Sequence, residues 1–280
     1  MTTTLRPAGP PTATPDGGAD RRWLICSNGR PVGTVRTVAR RYGSYLVGRI
    51  EGLAVTDAAR RRGRGTVAVL AAEEVLRAWG CQRAEVTVPV QAPPAHALAL
   101  ALGYTETNLH LLKRIGQPAQ PASGLTIRPI GAEDFPDWLE ATKAEFRAQL
   151  VRAGLTEEQA RQRCATEHTR LLRQGHATQD VALRRLLADG RAVGSFWLAL
   201  DNGRLPDGSP LAWVMTVDVA PELRGNGYGR ELMLAAEREC LAAGVRDLGL
   251  NVYSGNTVAL GLYTSLDYRI THWVLTKTLL

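Results

Sequence analysis

Val217-Asp218-Val219-Ala220-Pro221-Glu222-Leu223-Arg224-Gly225-Asn226-Gly227-Tyr228-Gly229-Arg230 decides the reading of this chain. Its opening residues predict the end of a strand. The alternate glycines predict a tight turn, because glycine reaches backbone conformations that a Cβ obstructs. The residues from Tyr228 onward predict a helix. Such a turn presents several backbone N–H groups, and together with the helix N-terminus they favour an anion. The arrangement recurs at Val55 and Arg60-Arg61-Arg62-Gly63-Arg64-Gly65, an offset of 164 residues. Two copies of a phosphate-binding element are therefore expected, with Arg60, Gly63, Arg64 and Gly65 as a possible second site.

One register carries more than the glycines. Arg60 recurs as Arg224, Gly63 as Gly227 and Gly65 as Gly229. Leu70-Ala71-Ala72-Glu73 recurs as Leu234-Ala235-Ala236-Glu237, and Gly80 as Gly244. Ala95, Leu98, Leu102 and Tyr104 recur as Ala259, Leu262, Leu266 and Tyr268. Glycine turns recur by chance. A gapless register across a strand, two helices and a second strand points to internal duplication.

The prolines and glycine of 117–124 mark a linker. The second copy, 125–280, begins with a predicted strand and two helices. The second of these starts at Thr156, where Thr156 and Gln159 have capping-box spacing. Two strands joined at Asp189-Gly190 follow, then the strand entering the glycine turn. The first copy, 21–116, is shorter. About 50 residues of strand and paired helices have no equivalent at its front. It is expected to have lost its first strand, leaving an edge that needs cover. Residues 1–20 are rich in Thr, Pro, Gly and Ala and lack a signal-peptide core. They read as a disordered tail that could cover that edge.

With 280 residues and 45% of them hydrophobic, the chain can form one large or two ordinary globular domains. Its net charge of +7 is largely arginine, with 11 arginines against 2 acidic residues between Arg21 and Gly65. Such a field attracts phosphates, although solubility alone accounts equally for most of these residues. No zinc module, aromatic-rich recognition strand or basic recognition helix accompanies the charge, so no nucleic-acid partner is expected. Cys26, Cys81, Cys164 and Cys240 are too widely spaced for a metal pair, and no metal is expected. No apolar stretch approaches a membrane span, so no membrane partner and a cytoplasmic location are expected.

On these residues the second copy resembles the GNAT superfamily of N-acetyltransferases over its whole length. The signature is Arg or Gln, two residues, Gly, one residue, then Gly or Ala, and it stands here as Arg224 to Gly229. Asn251, Asn256, Ala259, Leu262-Tyr263 and Leu266-Asp267-Tyr268 fit a second family feature. The resemblance implies an α/β fold. Two acyl-coenzyme A N-acyltransferase-like domains are expected, each a mixed, mostly antiparallel, splayed sheet flanked by helices, with the first truncated. It implies acetyl transfer from acetyl-coenzyme A to an amine. Val217, Val219, Arg224, Gly225, Asn226, Gly227, Tyr228, Gly229 and Arg230 would bind the coenzyme. Asn251 and Asn256 would contact pantetheine or order the loop, and Tyr263 would be the general acid for the departing thiolate.

The same residues admit structural roles: Tyr263 as a core aromatic, Asn251 as a turn residue and Asn256 as a helix N-cap. Arg224 could pair with a phosphate or only cap the turn. No general base stands out. Glu145, Glu167, His168, His176, Asp218 and His272 are weak candidates, and deprotonation through water is the alternative.

The first copy departs from the pattern. Thr87, Ala92 and Ala99 stand where the second copy has Asn251, Asn256 and Tyr263. Alanine has no proton to give a thiolate. The resemblance therefore implies a degenerate first domain, holding a coenzyme without turnover or serving as structure. The family includes a tandem layout in which the C-terminal copy is the active one. The expected acceptor is the primary amine of a small molecule or peptide, and the expected state a monomer or homodimer. A non-catalytic acyl-coenzyme A sensor or scaffold is the alternative function.

Overall fold

The computed structural model describes residues 2–117, 120 and 122–279. The expected linker at 117–124 therefore lies partly outside the described residues. The first copy runs through β1 (Thr3–Pro7), β2 (Thr12–Ala13), β3 (Ala19–Ser27), β4 (Arg30–Tyr42), β5 (Tyr45–Val55), α1 (Arg64–Ala78), β6 (Cys81–Pro89), α2 (Pro93–Ala101) and β7 (Thr105–Arg114). The second runs through β8 (Leu125–Pro129), α3 (Phe135–Arg152), α4 (Glu157–Leu171), β9 (Val181–Ala188), β10 (Arg191–Ala199), β11 (Leu211–Val219), α5 (Tyr228–Ala242), β12 (Asp247–Tyr253), α6 (Thr257–Ser265) and β13 (Arg269–Thr278).

The compact units do not follow a cut at the linker. The first comprises Met1–Thr107, Gly154–Thr166 and His272–Leu280, and the second Asn108–Ala153 and Glu167–Thr271. Most of each copy's last strand thus belongs to the unit built around the other copy. The first unit's sheet has the order β1-β3-β4-β5-β6-β13, with only β5 and β6 parallel and β2 added beside β3. The second unit's sheet has the order β8-β9-β10-β11-β12-β7, with only β11 and β12 parallel.

Two expectations are corrected at the N-terminus. Residues 2–20 are not a disordered tail, and the first copy has not lost its first strand. β1 pairs antiparallel with β3 from Thr3↔Ser27 to Pro7↔Trp23, as β8 pairs with β9. Thr4-Leu5-Arg6-Pro7 and Thr126-Ile127-Arg128-Pro129 are the same strand, at an offset of 122 residues. The helices α3 and α4 lie between β8 and β9 and have no counterpart between β1 and β3, so the longer register breaks there. Pairing with a core strand, rather than intrinsic propensity, makes β1 a strand.

Strand alternation gives the second sheet two distinct faces. Arg184 reaches Glu239 on α5 at 2.6 Å, whereas its neighbour Arg185 reaches Asp134, just before α3, at 2.9 Å. On the α3 face Trp197 packs with Trp138, Leu183 and Ile130, and the Trp138 indole donates to the Ser195 hydroxyl at 3.1 Å. In the first unit, Ala68, Ala72 and Leu76 of α1 pack on Ile25, Val35, Ile50 and Ala84. Each such leucine or isoleucine contributes roughly 1.5–3 kcal/mol by leaving water. The capping box at α4 forms reciprocally, with Thr156 Oγ1 accepting from Gln159 N–H at 3.2 Å and Gln159 Oε1 from Thr156 N–H at 3.1 Å.

The exchanged strands are held by matched buried charges. Lys113 of β7 donates to both carboxylate oxygens of Glu237 on α5 at 2.8 Å and lies over the Tyr268 ring at 5.5 Å. The Tyr268 hydroxyl donates to the same carboxylate at 3.1 Å. In the first unit Lys277 of β13 donates to Glu73 on α1 at 3.0 and 2.8 Å and lies over the Tyr104 ring at 5.6 Å. Burial, and then the neighbouring carboxylate, push both tyrosine hydroxyls above the ordinary range. Each lysine thus sits on the carboxylate of the opposite sequence copy.

Candidate active site

The splay of two parallel strands creates the opening. β11 pairs with β12 only from Leu211↔Asp247 to Val214↔Leu250, although β11 continues to Val219 and β12 to Tyr253. A bulge at Met215 shifts the register of β11 against β10. Beyond Val214 the backbone of β11, including Val217 and Val219, has no ladder partner on the β12 side among the described residues.

The glycine turn closes the end of this opening. Gly225 and Gly227 have φ of +84° and +82°, and Gly227 caps α5. A side chain there would meet left-handed backbone strain of roughly 1–2 kcal/mol, whereas the space around both glycines is open. Arg224 Nε donates to Val219 O at 3.1 Å, so this side chain ties the turn to the strand end. Asn226 donates to Leu223 O at 3.0 Å. Tyr228 and Gly229 open α5, and a Cβ at Gly229 would lie 3.2 Å from Leu262 on α6. Arg230 donates to the Ser265 hydroxyl at the end of α6 at 2.6 Å. The turn, α5 and α6 therefore form one packed corner.

On α6, Asn256 accepts from Ala259 N–H at 3.1 Å and so caps the helix. Tyr263 lies one turn from the helix end, its ring edge-on to Tyr268 with centroids 6.1 Å apart. Burial pushes its hydroxyl up to about 12. Asn251 lies elsewhere. Leu250 and Val252 are buried, whereas Asn251 between them is exposed and takes the opposite face of β12. Of the weak base candidates, Asp218 pairs across β11 with Ser195 and so takes the α3 face, with Arg224 at 3.9 Å. His168 is buried against the Phe146 and Trp197 rings.

The first unit keeps the backbone of this corner. β5 and β6 part after Ile50↔Val86, the pair equivalent to Val214↔Leu250. Arg60 Nε donates to Val55 O at 2.8 Å, and Gly63 caps α1 with φ of +71°. Gly65 approaches Leu98 as Gly229 approaches Leu262. Arg64 is buried and donates to Ala59 O at 3.0 Å, so its guanidinium faces the protein. A cavity of about 390 Å³ lies between the parted strands, lined by Leu53, Val69, Val88, Ala95, Ala99 and Tyr104 among others.

Sequence reasoning did not single out Lys113 and Lys277, although they share the 164-residue register. Among the described residues no three His, Cys, Asp or Glu side chains come together as a metal would need, and no helix is long and apolar enough to cross a membrane.

Comparison with known proteins gives the family. The model of the acetyltransferase (GNAT) family matches residues 5–104 and 137–268, so both copies are recognised. Mycothiol acetyltransferase of Clavibacter michiganensis subsp. michiganensis is 29% identical over 254 residues, covering 87% of this chain and 74% of its own. Mycothiol acetyltransferase of Nocardiopsis dassonvillei is 28% identical over 277 residues, covering 90% and 80%. Among solved structures, a GCN5-related N-acetyltransferase from Sphaerobacter thermophilus has a TM-score of 0.62 at 20% identity, covering 92% of this chain and 80% of its own. A tandem GNAT protein from the clavulanic acid biosynthesis pathway has a TM-score of 0.55 at 22% identity, covering 95% and 84%. The chain belongs to the acetyltransferase (GNAT) family, as a tandem, acetyl-coenzyme A-dependent N-acetyltransferase.

Proposed function

We propose that catalysis resides in the second unit, where the coenzyme pyrophosphate lies on the turn from Arg224 to Arg230 and pantetheine enters the gap between β11 and β12. The observation that carries this reading is the pairing of an intact glycine turn with a splay that leaves the Val217–Val219 backbone open. Glycine lets the backbone approach the phosphates, and the N-terminus of α5 adds favourable partial charge. Backbone N–H groups of the parted strand polarise the thioester carbonyl. A neutral amine attacks the carbonyl carbon, the carbon–sulfur bond breaks, Tyr263 gives its proton to the thiolate, and the proton that the nitrogen sheds on becoming an amide restores the tyrosine hydroxyl through water. Burial suits that role, since a hydroxyl held near 12 stays protonated throughout the pH range in which an amine attacks. Asn256 acts by capping α6, which carries Tyr263.

The first copy is read as a shortened, degenerate domain. Ala99 supplies no acid, and Arg60 and Arg64 are engaged with backbone carbonyls, although the cavity beside its turn leaves room for a coenzyme. The acceptor is the primary amine of a small molecule or peptide. Curated relatives bear the name mycothiol acetyltransferase, and at 28–29% identity their acceptor is not carried over.

Tyr263→Phe tests the reading because it removes one hydroxyl and keeps the ring. The single-turnover rate should fall by roughly 10²–10⁴-fold with coenzyme affinity preserved. A variant as fast as wild type would make Tyr263 a packing residue.

A further inference from the structure

We infer that His110, a residue of the first copy, serves the active site of the second as the side chain that takes the acceptor amine's proton. The inference rests on the proposed site above. His110 belongs to β7, which joins the second unit's sheet beside β12, where it pairs directly with Asn251. Side chains of directly opposed residues share a face. That face is opposite to α5: Lys113, three positions along β7, reaches Glu237 on α5, while Leu109 and Leu111 are buried. It is also the face of Trp213, which pairs across β11 with Ala199, two residues from Trp197 on the α3 side.

Three features concentrate at this spot. Asn251 is exposed and is the first residue of β12 beyond the last β11–β12 pair, so His110 stands level with the start of the opening. The His110 ring is half-buried and meets the Trp213 ring edge-on at 5.3 Å. Trp213 in turn lies flat against Gly249, where a Cβ would come within 2.4 Å of the indole. The glycine makes room for the indole, and the indole fixes the imidazole. Asp218 of β11 takes the same face, four residues beyond Val214 toward the glycine turn.

The first unit shows the same place without a histidine. Val274 replaces His110 and pairs with Thr87. Arg49 and Glu85, the equivalents of Trp213 and Gly249, form an ion pair at 2.9 Å. At the β4–β5 hairpin, residues from 154 to 166 pack on this unit: Gln162 accepts from Ser44 N–H at 2.9 Å, and Arg163 stacks over Tyr42 at 5.1 Å. The histidine therefore stands on the side that has Tyr263 and not on the side that has Ala99.

In the step this implies, an ammonium acceptor gives one proton to the neutral imidazole and becomes a nucleophile. Its nitrogen forms the amide bond as the carbon–sulfur bond breaks. The imidazolium then loses its proton to water, Tyr263 protonates the thiolate, and the second proton that the nitrogen sheds on becoming an amide restores the tyrosine hydroxyl through water.

The test uses the full chain with acetyl-coenzyme A and four amines: kanamycin, lysine, spermidine and trialanine. Thiol release, coenzyme affinity and melting midpoint are measured for wild type, His110→Ala and His110→Asn. Both variants should lose roughly 10²–10⁴-fold in kcat with the best amine, at unchanged coenzyme affinity and midpoint. Added imidazole should restore part of the His110→Ala rate. Variants as fast as wild type would overturn the role. So would a loss that follows weakened coenzyme binding or a lowered midpoint and ignores imidazole, since that marks packing. If wild type itself releases no thiol with any amine, the transferase reading of the site fails first and this role falls with it.

Discussion

The two units share a corner and differ in what surrounds it. In both, the parallel strands part after the same residue pair, an arginine Nε bonds the last carbonyl of the strand, and a glycine of positive φ caps the helix. Around the second corner stand Tyr263, Asn256, Asn251 and Trp213. Around the first stand Ala99, Ala92, Thr87 and Arg49. Arg49 is paired with Glu85. Backbone geometry alone therefore does not distinguish the two copies. The difference lies in the side chains on either face of the parted strands.

The exchange of last strands gives the first copy a structural part in the second unit. Without residues 108–114 the second unit would lack β7, and Glu237 would lack its lysine. The strongest break of the comparison is therefore to express 125–280 alone. That fragment should be aggregated or molten and inactive, judged by thermal unfolding and thiol release beside the full chain. Equal melting midpoints and equal turnover would show that β7 is dispensable.

A finer cut removes one charge at a time. Lys113→Met leaves the buried Glu237 without its cation, at a cost of about 3–5 kcal/mol, whereas in Lys277→Met the buried Glu73 keeps Arg77 at 3.6 Å. Chemical denaturation should show losses for both, the larger for Lys113→Met. Turnover per folded molecule should persist in Lys277→Met, whose lysine lies in the first unit. A large loss from one lysine and none from the other would make the exchange one-sided.

Much of this was legible in the sequence, and the gaps have physical causes. The turn, α5 and α6 follow from local rules: glycines at alternate positions, an asparagine N-cap and a gapless repeat. β1 was not legible, because a proline-flanked stretch becomes a strand only by pairing with β3. The exchange of β7 and β13 was not legible either, since a repeat in sequence does not say which sheet a strand joins. Its trace was present in the repeat of Lys113 as Lys277, a charged identity shared by the two strands. Asn251 shows the limit of motif transfer. Its position in the chain suggests the coenzyme, but alternation sends it to the face that holds Trp213.

The central claim is that one of two look-alike turns carries the reaction. Gly227→Val and Gly63→Val place the same β-branched side chain at equivalent positive-φ positions, so they share the backbone strain and differ only in the unit affected. Isothermal titration of acetyl-coenzyme A and turnover are measured on both folded variants. Gly227→Val should weaken the affinity that supports turnover by at least about tenfold, or about 1.4 kcal/mol, while Gly63→Val turns over nearly as wild type. Unchanged turnover in Gly227→Val, or its loss in Gly63→Val alone, would contradict the assignment.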